Sequence, residues 1–182
     1  FTRKAPYSYG WDWGIRMVTS GIWRPVTLCF YDVATIDDYH VKQLSLTDRQ
    51  AEISNELEIN SISSGKEEAE IIVSCSLKDG QPLTVKQSVV LNPGINHVKI
   101  PVEIKNPVRW MPNGWGEPVL YDFTAQVVCR GKTVASGHHR IGLRTIRLVN
   151  EKDEHGESYY FEVNGIPMFA KGANFIPNDI LL

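Results

Sequence analysis

Two tryptophans and an aspartate stand side by side at Trp11, Asp12 and Trp13, between Gly10 and Gly14. An indole ring offers a large, rigid apolar surface with a polar edge. A carboxylate makes charge-assisted hydrogen bonds, which are roughly twice as strong as neutral ones. These groups suit a pyranose, whose C–H face packs on an aromatic ring while its hydroxyls donate to an acceptor. The alternative is a pair of packed tryptophans at the entrance of a strand, with a turn aspartate between them.

Histidine and cysteine, the usual ligands of transition metals, are not grouped in this sequence. His138 and His139 are neighbours in a predicted strand, so their rings point to opposite faces and cannot easily share one ion. Cys29, Cys75 and Cys129 lack the CxxC spacing of zinc sites. Each cysteine falls in an apolar strand pattern, which predicts a small buried side chain, and a single Cys75–Cys129 disulfide is the alternative. We therefore predict no metal, and we find no Ser/His/Asp set or phosphate-binding loop.

Composition narrows the class of protein further. The 182 residues carry a net charge of -2, which offers no electrostatic attraction for nucleic acid or an anionic membrane. No apolar run reaches the roughly 18–20 residues that span a bilayer. The sequence begins at Phe1 without Met and contains no Asn-x-Ser/Thr. We expect both ends to be cuts through larger domains, and the compartment stays open: extracytoplasmic in a bacterium, lysosomal in an animal.

The elements that must position the aromatic motif are strands. Residues 23–31 are predicted to form one directly after it, and strict alternation of apolar and polar residues predicts seven more. They lie near residues 38–46, 51–62, 69–78, 83–91, 95–104, 119–129 and 132–148. Seven short antiparallel strands in about 110 residues is the count of an immunoglobulin-like β-sandwich. Tyr121, at the start of the sixth, suits a tyrosine corner.

The character of the sequence changes after Leu148. Residues 149–157 are polar and read as a linker, and Asn164-Gly165 between two apolar runs predicts a β-hairpin. Residues 170–175 are predicted to form one further strand, followed by a loop at residues 176–179.

Three separated motifs resemble glycoside hydrolase family 2. Residues 10–14 (GWDWG) with 21–26 (GIWRPV) resemble the end of its sugar-binding jelly roll, in the form found in the β-mannosidase branch. Residues 109–121 (RWMPNGWGEPVLY) resemble its central sandwich. Residues 140–146 (RIGLRTI), 161–165 (FEVNG) and 171–177 (KGANFIP) resemble the passage into its catalytic barrel.

This resemblance implies an all-β chain of three parts: the end of a jelly roll at residues 1–34, a sandwich at 35–148, and the start of a TIM barrel at 149–182. The parent would be a retaining exo-β-mannosidase acting on β-mannoside oligosaccharides without a cofactor. Trp11 and Asp12 would contact the sugar, Asn174 would bind substrate or orient a catalytic group, and Asp179 is a weaker candidate. Trp13, Trp23, Trp110 and Trp115 would pack within or between domains.

The resemblance places both catalytic glutamates of the family beyond residue 182, so this chain alone should be inactive. Glu154, Glu157 and Glu162 are the acids near its C-terminal part, and we expect them to be solvated surface groups. Two alternatives remain: another family 2 glycosidase (β-galactosidase, β-glucuronidase or exo-glucosaminidase), or a non-catalytic carbohydrate-binding or adhesion sandwich protein.

Overall fold

A computed structural model describes residues 3–12, 14–76 and 82–175. Within these ranges the chain is all-β, with antiparallel pairing throughout and one short 3₁₀ helix at Pro6–Tyr9. The ten strands are β1 Ala34–Leu46, β2 Gln50–Ser61, β3 Glu67–Ser76, β4 Leu83–Leu91, β5 Gly94–Lys105, β6 Tyr121–Cys129, β7 Lys132–Ile141, β8 Ile146–Val149, β9 Tyr160–Val163 and β10 Ile166–Met168.

The first seven strands form the predicted sandwich. One sheet has the order β1-β2-β5 and the other the order β4-β3-β6-β7. In the constant-type immunoglobulin arrangement the fourth strand belongs to the sheet of the first two; here β4 pairs with β3 instead. The inward residues of both sheets build a single apolar core, in which Ile53, Ile71 and Phe123 are almost fully buried.

One buried polar pair crosses the interior beside this core. The Tyr39 hydroxyl donates to Asn55 Oδ1 at 2.7 Å, and Asn55 Nδ2 donates to the Ile100 carbonyl at 3.2 Å. The Tyr39 ring contacts His139 edge-on at 5.3 Å between centroids, so β1 of one sheet is tied to β7 of the other. Burial raises the pKa of Tyr39 above its ordinary value, so this hydroxyl stays a donor.

The tyrosine corner is confirmed. Tyr121 is buried at the start of β6, and its hydroxyl accepts the backbone N–H of Val108 at 2.7 Å. This bond fixes the long connection between β5 and β6 onto the sandwich.

The cysteine predictions are only partly right. Cys75 and Cys129 are buried as expected, but Cys29 is exposed. The disulfide alternative is wrong, because β3–β6 pairing sets Cys75 opposite Phe123 and Cys129 opposite Ala69. The two thiols therefore lie six residues apart along the strands, or roughly 20 Å, whereas a disulfide needs Cα atoms within about 7 Å.

Three predicted strands differ from the structure. The seventh ends at Ile141, and a separate short strand, β8, begins at Ile146. Residues 23–31 and 170–175 form no strand and are exposed. An alternating apolar pattern favours a strand, but a strand also needs a neighbouring strand to complete its backbone hydrogen bonds. No strand of the described residues pairs with either segment.

The chain divides into two compact units, residues 31–170 and residues 1–30 with 171–182. Besides the sandwich, the first unit contains a small three-stranded sheet of order β10-β9-β8. The second contains the 3₁₀ helix and the aromatic motif. No helix in the described ranges is long and apolar enough to cross a membrane.

Candidate functional site

A tight backbone turn carries the aspartate of the aromatic motif. Trp11 and Gly14 form an antiparallel bridge, in which the Gly14 N–H donates to the Trp11 carbonyl at 3.2 Å and the Trp11 N–H donates to the Gly14 carbonyl at 3.5 Å. Asp12 therefore lies in the turn that follows Trp11, between the two bridge residues. We call residues 11–14 the Trp11 turn.

The segment before the Trp11 turn explains how it is presented. Pro6 starts the 3₁₀ helix with the fixed φ that a helix start requires. Gly10 then takes φ 120° and ψ 138°, which only glycine adopts without strain, and its N–H donates to the Tyr7 carbonyl at 3.1 Å. The Met17 N–H donates to the carbonyl of the buried Ser8 at 3.2 Å, on the other side of the turn. The turn is thus braced by backbone bonds on both sides.

The side chains at the turn are open to solvent. Trp11 is 60% exposed, and Asp12 is exposed with no hydrogen bond or ion pair among the described residues. A free carboxylate beside an open indole can accept from hydroxyls and pack on an apolar ring face. Trp13 lies outside the described residues, so its predicted packing role stays a prediction.

Asn174 belongs to the same compact unit as the Trp11 turn. Its side chain is exposed, in a segment without regular structure. Asp179, the weaker candidate, falls outside the described part of the chain. The shared unit is compatible with the predicted set of Trp11, Asp12 and Asn174.

The other tryptophans divide into one packed and two open rings. Trp110 lies directly over Gly142, where an added Cβ would come within 2.6 Å of its Cγ, and the Arg144 guanidinium lies 4.8 Å from its ring centroid. Trp115 is 52% exposed, in a loop that the backbone bond from its N–H to the Pro112 carbonyl closes at 3.0 Å. Trp23 is also exposed, and the Arg24 guanidinium lies 4.5 Å from its ring centroid. Trp110 is therefore packed within the described part of the chain, whereas packing of Trp23 and Trp115 between domains stays a prediction.

The two neighbouring histidines do face opposite ways. His138 Nε2 lies 2.9 Å from Asp122 Oδ1 on the outer face, whereas His139 contacts Tyr39 from the inner side. Among the described residues no group of three His, Cys, Asp or Glu side chains could hold a metal ion.

Two of the three acids near the C-terminal part are exposed as predicted, and the third, Glu162, is not. Glu154 and Glu157 are exposed, and Glu154 pairs with His155 at 3.2 Å. Glu162 is half-buried and accepts from Arg147 at 3.3 Å. That bond, with the charge of Glu162, raises the pKa of Arg147. Glu162 is therefore engaged in an ion pair within the small sheet.

Sequence reasoning missed one group of residues. The side chain of Asn164 bonds to both Thr145 and Trp110, and the side chain of Gln43 bonds to the backbone of Arg144. The Asn-Gly turn was visible in the sequence, but nothing local showed what the Asn164 amide would reach 54 residues away.

A comparison with protein families matches two separate parts of the chain. Residues 34–144 match the model of the glycosyl hydrolases family 2, and residues 1–24 match that of the glycosyl hydrolase 2 galactose-binding domain-like family. The first match covers the sandwich, and the second covers the Trp11 turn. The chain belongs to glycosyl hydrolase family 2.

Two relatives of similar sequence are fungal proteins with the same name. β-Mannosidase B of Aspergillus terreus is 36% identical over 181 residues, and that of Aspergillus fumigatus is 33% identical over 180, each covering 99% of this chain. The chain spans about a fifth of the length of these relatives, 20% and 21% respectively.

Solved structures of similar fold include a β-mannosidase and an enzyme with another name. The β-D-mannosidase of Dictyoglomus thermophilum is 40% identical, with a TM-score of 0.88 over 98% of this chain and 22% of its own. The exo-chitosanase of Amycolatopsis orientalis is 20% identical, with a TM-score of 0.66 over 81% of this chain and 17% of its own. At that lower identity the similarity concerns the fold alone.

Proposed function

We propose that this chain is a non-catalytic portion of a retaining exo-β-mannosidase, which removes terminal β-D-mannose from the non-reducing end of its substrate. The names of the relatives, from 33% to 40% identical over nearly the whole chain, support the sugar. The observation that carries the proposal is the Trp11 turn, in which an exposed carboxylate without a partner among the described residues follows an exposed indole in the chain.

The proposed roles rest on the resemblance to the family, and the chemistry of the side chains suits them. Asp12 accepts hydrogen bonds from sugar hydroxyls, Trp11 packs beside the pyranose ring, and Asn174 bonds to the substrate or orients a catalytic group. The sandwich is a spacer between the sugar-binding and catalytic parts, and no organic cofactor takes part.

Retaining hydrolysis needs two carboxyl groups about 5–5.5 Å apart, one as nucleophile and one as acid and base. The acids considered for this role are two exposed loop glutamates and one glutamate bound to arginine. We therefore propose that residues outside this sequence supply the catalytic pair, and that the chain by itself turns over no aryl β-mannoside.

The test is Asp12→Ala in the enzyme that carries this segment. Losing a charged acceptor for sugar hydroxyls in a desolvated site should cost about 2–4 kcal/mol, or roughly 30- to 1000-fold in kcat/KM. Asp12→Asn should recover part of the loss, because the amide keeps one acceptor in place. The melting temperature should hardly move, since the carboxylate supports no core.

Asp38→Ala, which removes another exposed carboxylate from the sandwich surface, is the matched control and should leave the kinetics unchanged. Near-normal mannoside kinetics together with a large drop in melting temperature would make Asp12 a structural turn residue and refute the proposal.

A further inference from the structure

One side-chain amide joins three segments of the sandwich unit. Asn164 is the first turn residue of the β9–β10 hairpin, with φ 53°. Its Oδ1 accepts the Thr145 N–H at 3.0 Å, and its own N–H donates to the Thr145 carbonyl at 2.9 Å. Its Nδ2 donates to the Trp110 carbonyl at 2.9 Å and lies 3.0 Å from Met111 Sδ. Both ends of the amide are therefore in use, on different segments.

The Trp110 segment that receives this bond is itself fixed. Its N–H donates to the Leu143 carbonyl at 2.8 Å. Its ring covers Gly142 and is covered in turn by the Arg144 guanidinium. The Trp110 carbonyl is thus a rigid acceptor for Asn164.

Arg144 connects the same group to the first sheet of the sandwich. Gln43 of β1 donates through Nε2 to the Arg144 carbonyl at 3.0 Å and accepts the Arg144 N–H on Oε1 at 3.1 Å. The β1–β2 register is irregular between Gln43 and Ser45, and such bulges re-aim side chains. We call Gln43, Trp110, Arg144 and Asn164 the amide clasp.

A hairpin turn does not require these side-chain bonds. An Asn-Gly turn uses asparagine because it tolerates positive φ, and the backbone alone closes it. Apolar burial in the small sheet is limited to one side chain in each strand, since Ile146, Leu148, Phe161 and Ile166 remain 40–55% exposed. The buried side chains are Val149, Val163 and Met168. Hydrogen bonds restrict angle and distance, whereas apolar burial is non-directional. The hydrogen bonds of the clasp can therefore set the orientation of the small sheet relative to the sandwich.

We propose that Asn164 is a positioning residue whose side-chain amide fixes the β8–β9–β10 sheet on the sandwich. The proposal stands on the contacts of the clasp, above all the bonds of the Asn164 amide to Thr145 and Trp110.

The experiment uses the whole 182-residue chain and measures amide hydrogen-exchange protection factors, which correct for the intrinsic effect of pH. Asn164→Asp tolerates the same positive φ and keeps the acceptor for Thr145, but it loses the donor to Trp110. At pH 7 we expect protection in β8, β9 and β10 to fall about tenfold or more, since a carbonyl acceptor is left without its donor. Protection in β1–β7 should be unchanged.

Acidification gives a readout that a simple turn residue would not produce. Below the pKa of the introduced carboxyl the group is protonated and can donate again. Protection of the small sheet in Asn164→Asp should then recover towards that of the unchanged chain measured at the same pH. Asn164→Gly keeps the turn but has no side chain, so its loss of protection should not recover.

Asn106→Asp is the matched control, because Asn106 also has positive φ (48°) and its side chain makes no hydrogen bond in the described ranges. It should leave the small sheet protected. The proposal is overturned if Asn164→Asp keeps full protection, if β1–β7 lose protection equally, or if Asn106→Asp has the same effect.

Discussion

Cys75 shows how strongly this core changes the chemistry of one residue. The side chain is fully buried in β3, and its thiol is free. Burial raises the pKa of the thiol from 9.0 to about 12, with a smaller contribution from the charge of Asp122. The thiol is therefore a small apolar group in the folded chain and becomes an acid only when the chain unfolds.

Alkaline pH should consequently destabilise the fold through Cys75. Because the pKa is higher in the folded state, the unfolded chain loses its proton first as pH rises. The stabilising contribution is full below about pH 9 and is lost towards about pH 12, at roughly 1.4 kcal/mol per pH unit. Urea unfolding in that window should show a shallower decline for Cys75→Val. Cys29→Ser, at an exposed cysteine, should keep the original slope; an unchanged slope in Cys75→Val would contradict the prediction.

Asn55 shows which features of a single residue can be predicted from the sequence and which cannot. Asn55 occupies an inward position between Ile53 and Leu57, so period-2 alternation identifies a buried amide in the middle of β2. Its partners, Tyr39 and the Ile100 carbonyl, come from other strands and depend on register. For the same reason, the sequence predicted the turn at Asn164 but not the bonds of its side chain to Trp110 and Thr145. Local pattern predicts which side chain is buried, and only the fold shows what it meets.

At the scale of elements, the link between β7 and β8 depends on one glycine. Gly142 lies under Trp110, and an added Cβ would come within 2.6 to 2.7 Å of Trp110 Cγ, Cβ and Cδ1. The Arg144 guanidinium also lies 4.8 Å from the centroid of this ring, so a shift of the indole would disturb the clasp. Because glycine has no side chain, the connection between β7 and β8 can pass close to the Trp110 indole.

Gly142→Ala should therefore be destabilising although alanine is the smallest replacement. Overpacking of this kind costs typically about 1–3 kcal/mol, and we expect a loss of that size in the free energy of urea unfolding. Gly65→Ala is the control, because nothing lies within 4 Å of its added Cβ. Equal effects of the two substitutions would show that Trp110 can shift freely.

Elements also explain which strand predictions succeeded. The seven sandwich strands combine alternation with turn residues, and each finds its partner within the described chain. Residues 23–31 have comparable apolar content, yet Val26, Leu28 and Phe30 are all exposed and form no strand. A local sequence pattern can predict that a segment favours the extended conformation. It cannot predict which strand will pair with that segment, because the partner lies elsewhere in the chain.

At the scale of the whole molecule, the chain contains one large compact unit and one small one. Residues 31–170 include the continuous core, whereas the described residues of the other unit are mostly exposed and hold one short 3₁₀ helix. A sandwich of about 110 residues can bury roughly 60–65% of its unfolded surface. The limits of the sandwich, residues 35 and 148, are still a prediction. The difference in burial between the two units makes this prediction testable by proteolysis.

Limited digestion with trypsin should leave a resistant core that covers residues 35–148 while both ends are trimmed first. Lysine and arginine occur throughout that range, as at Lys42, Lys86 and Arg130. Survival would therefore reflect folding and not a shortage of cleavage sites, since cleavage follows local opening. Mass spectrometry of the fragments gives the boundaries, and the same digestion in urea shows that every site can be cut. If the clasp holds the small sheet, residues up to about Met168 should remain with the core in the unchanged chain. Digestion that removes the middle before the ends would show that the domain limits are wrong.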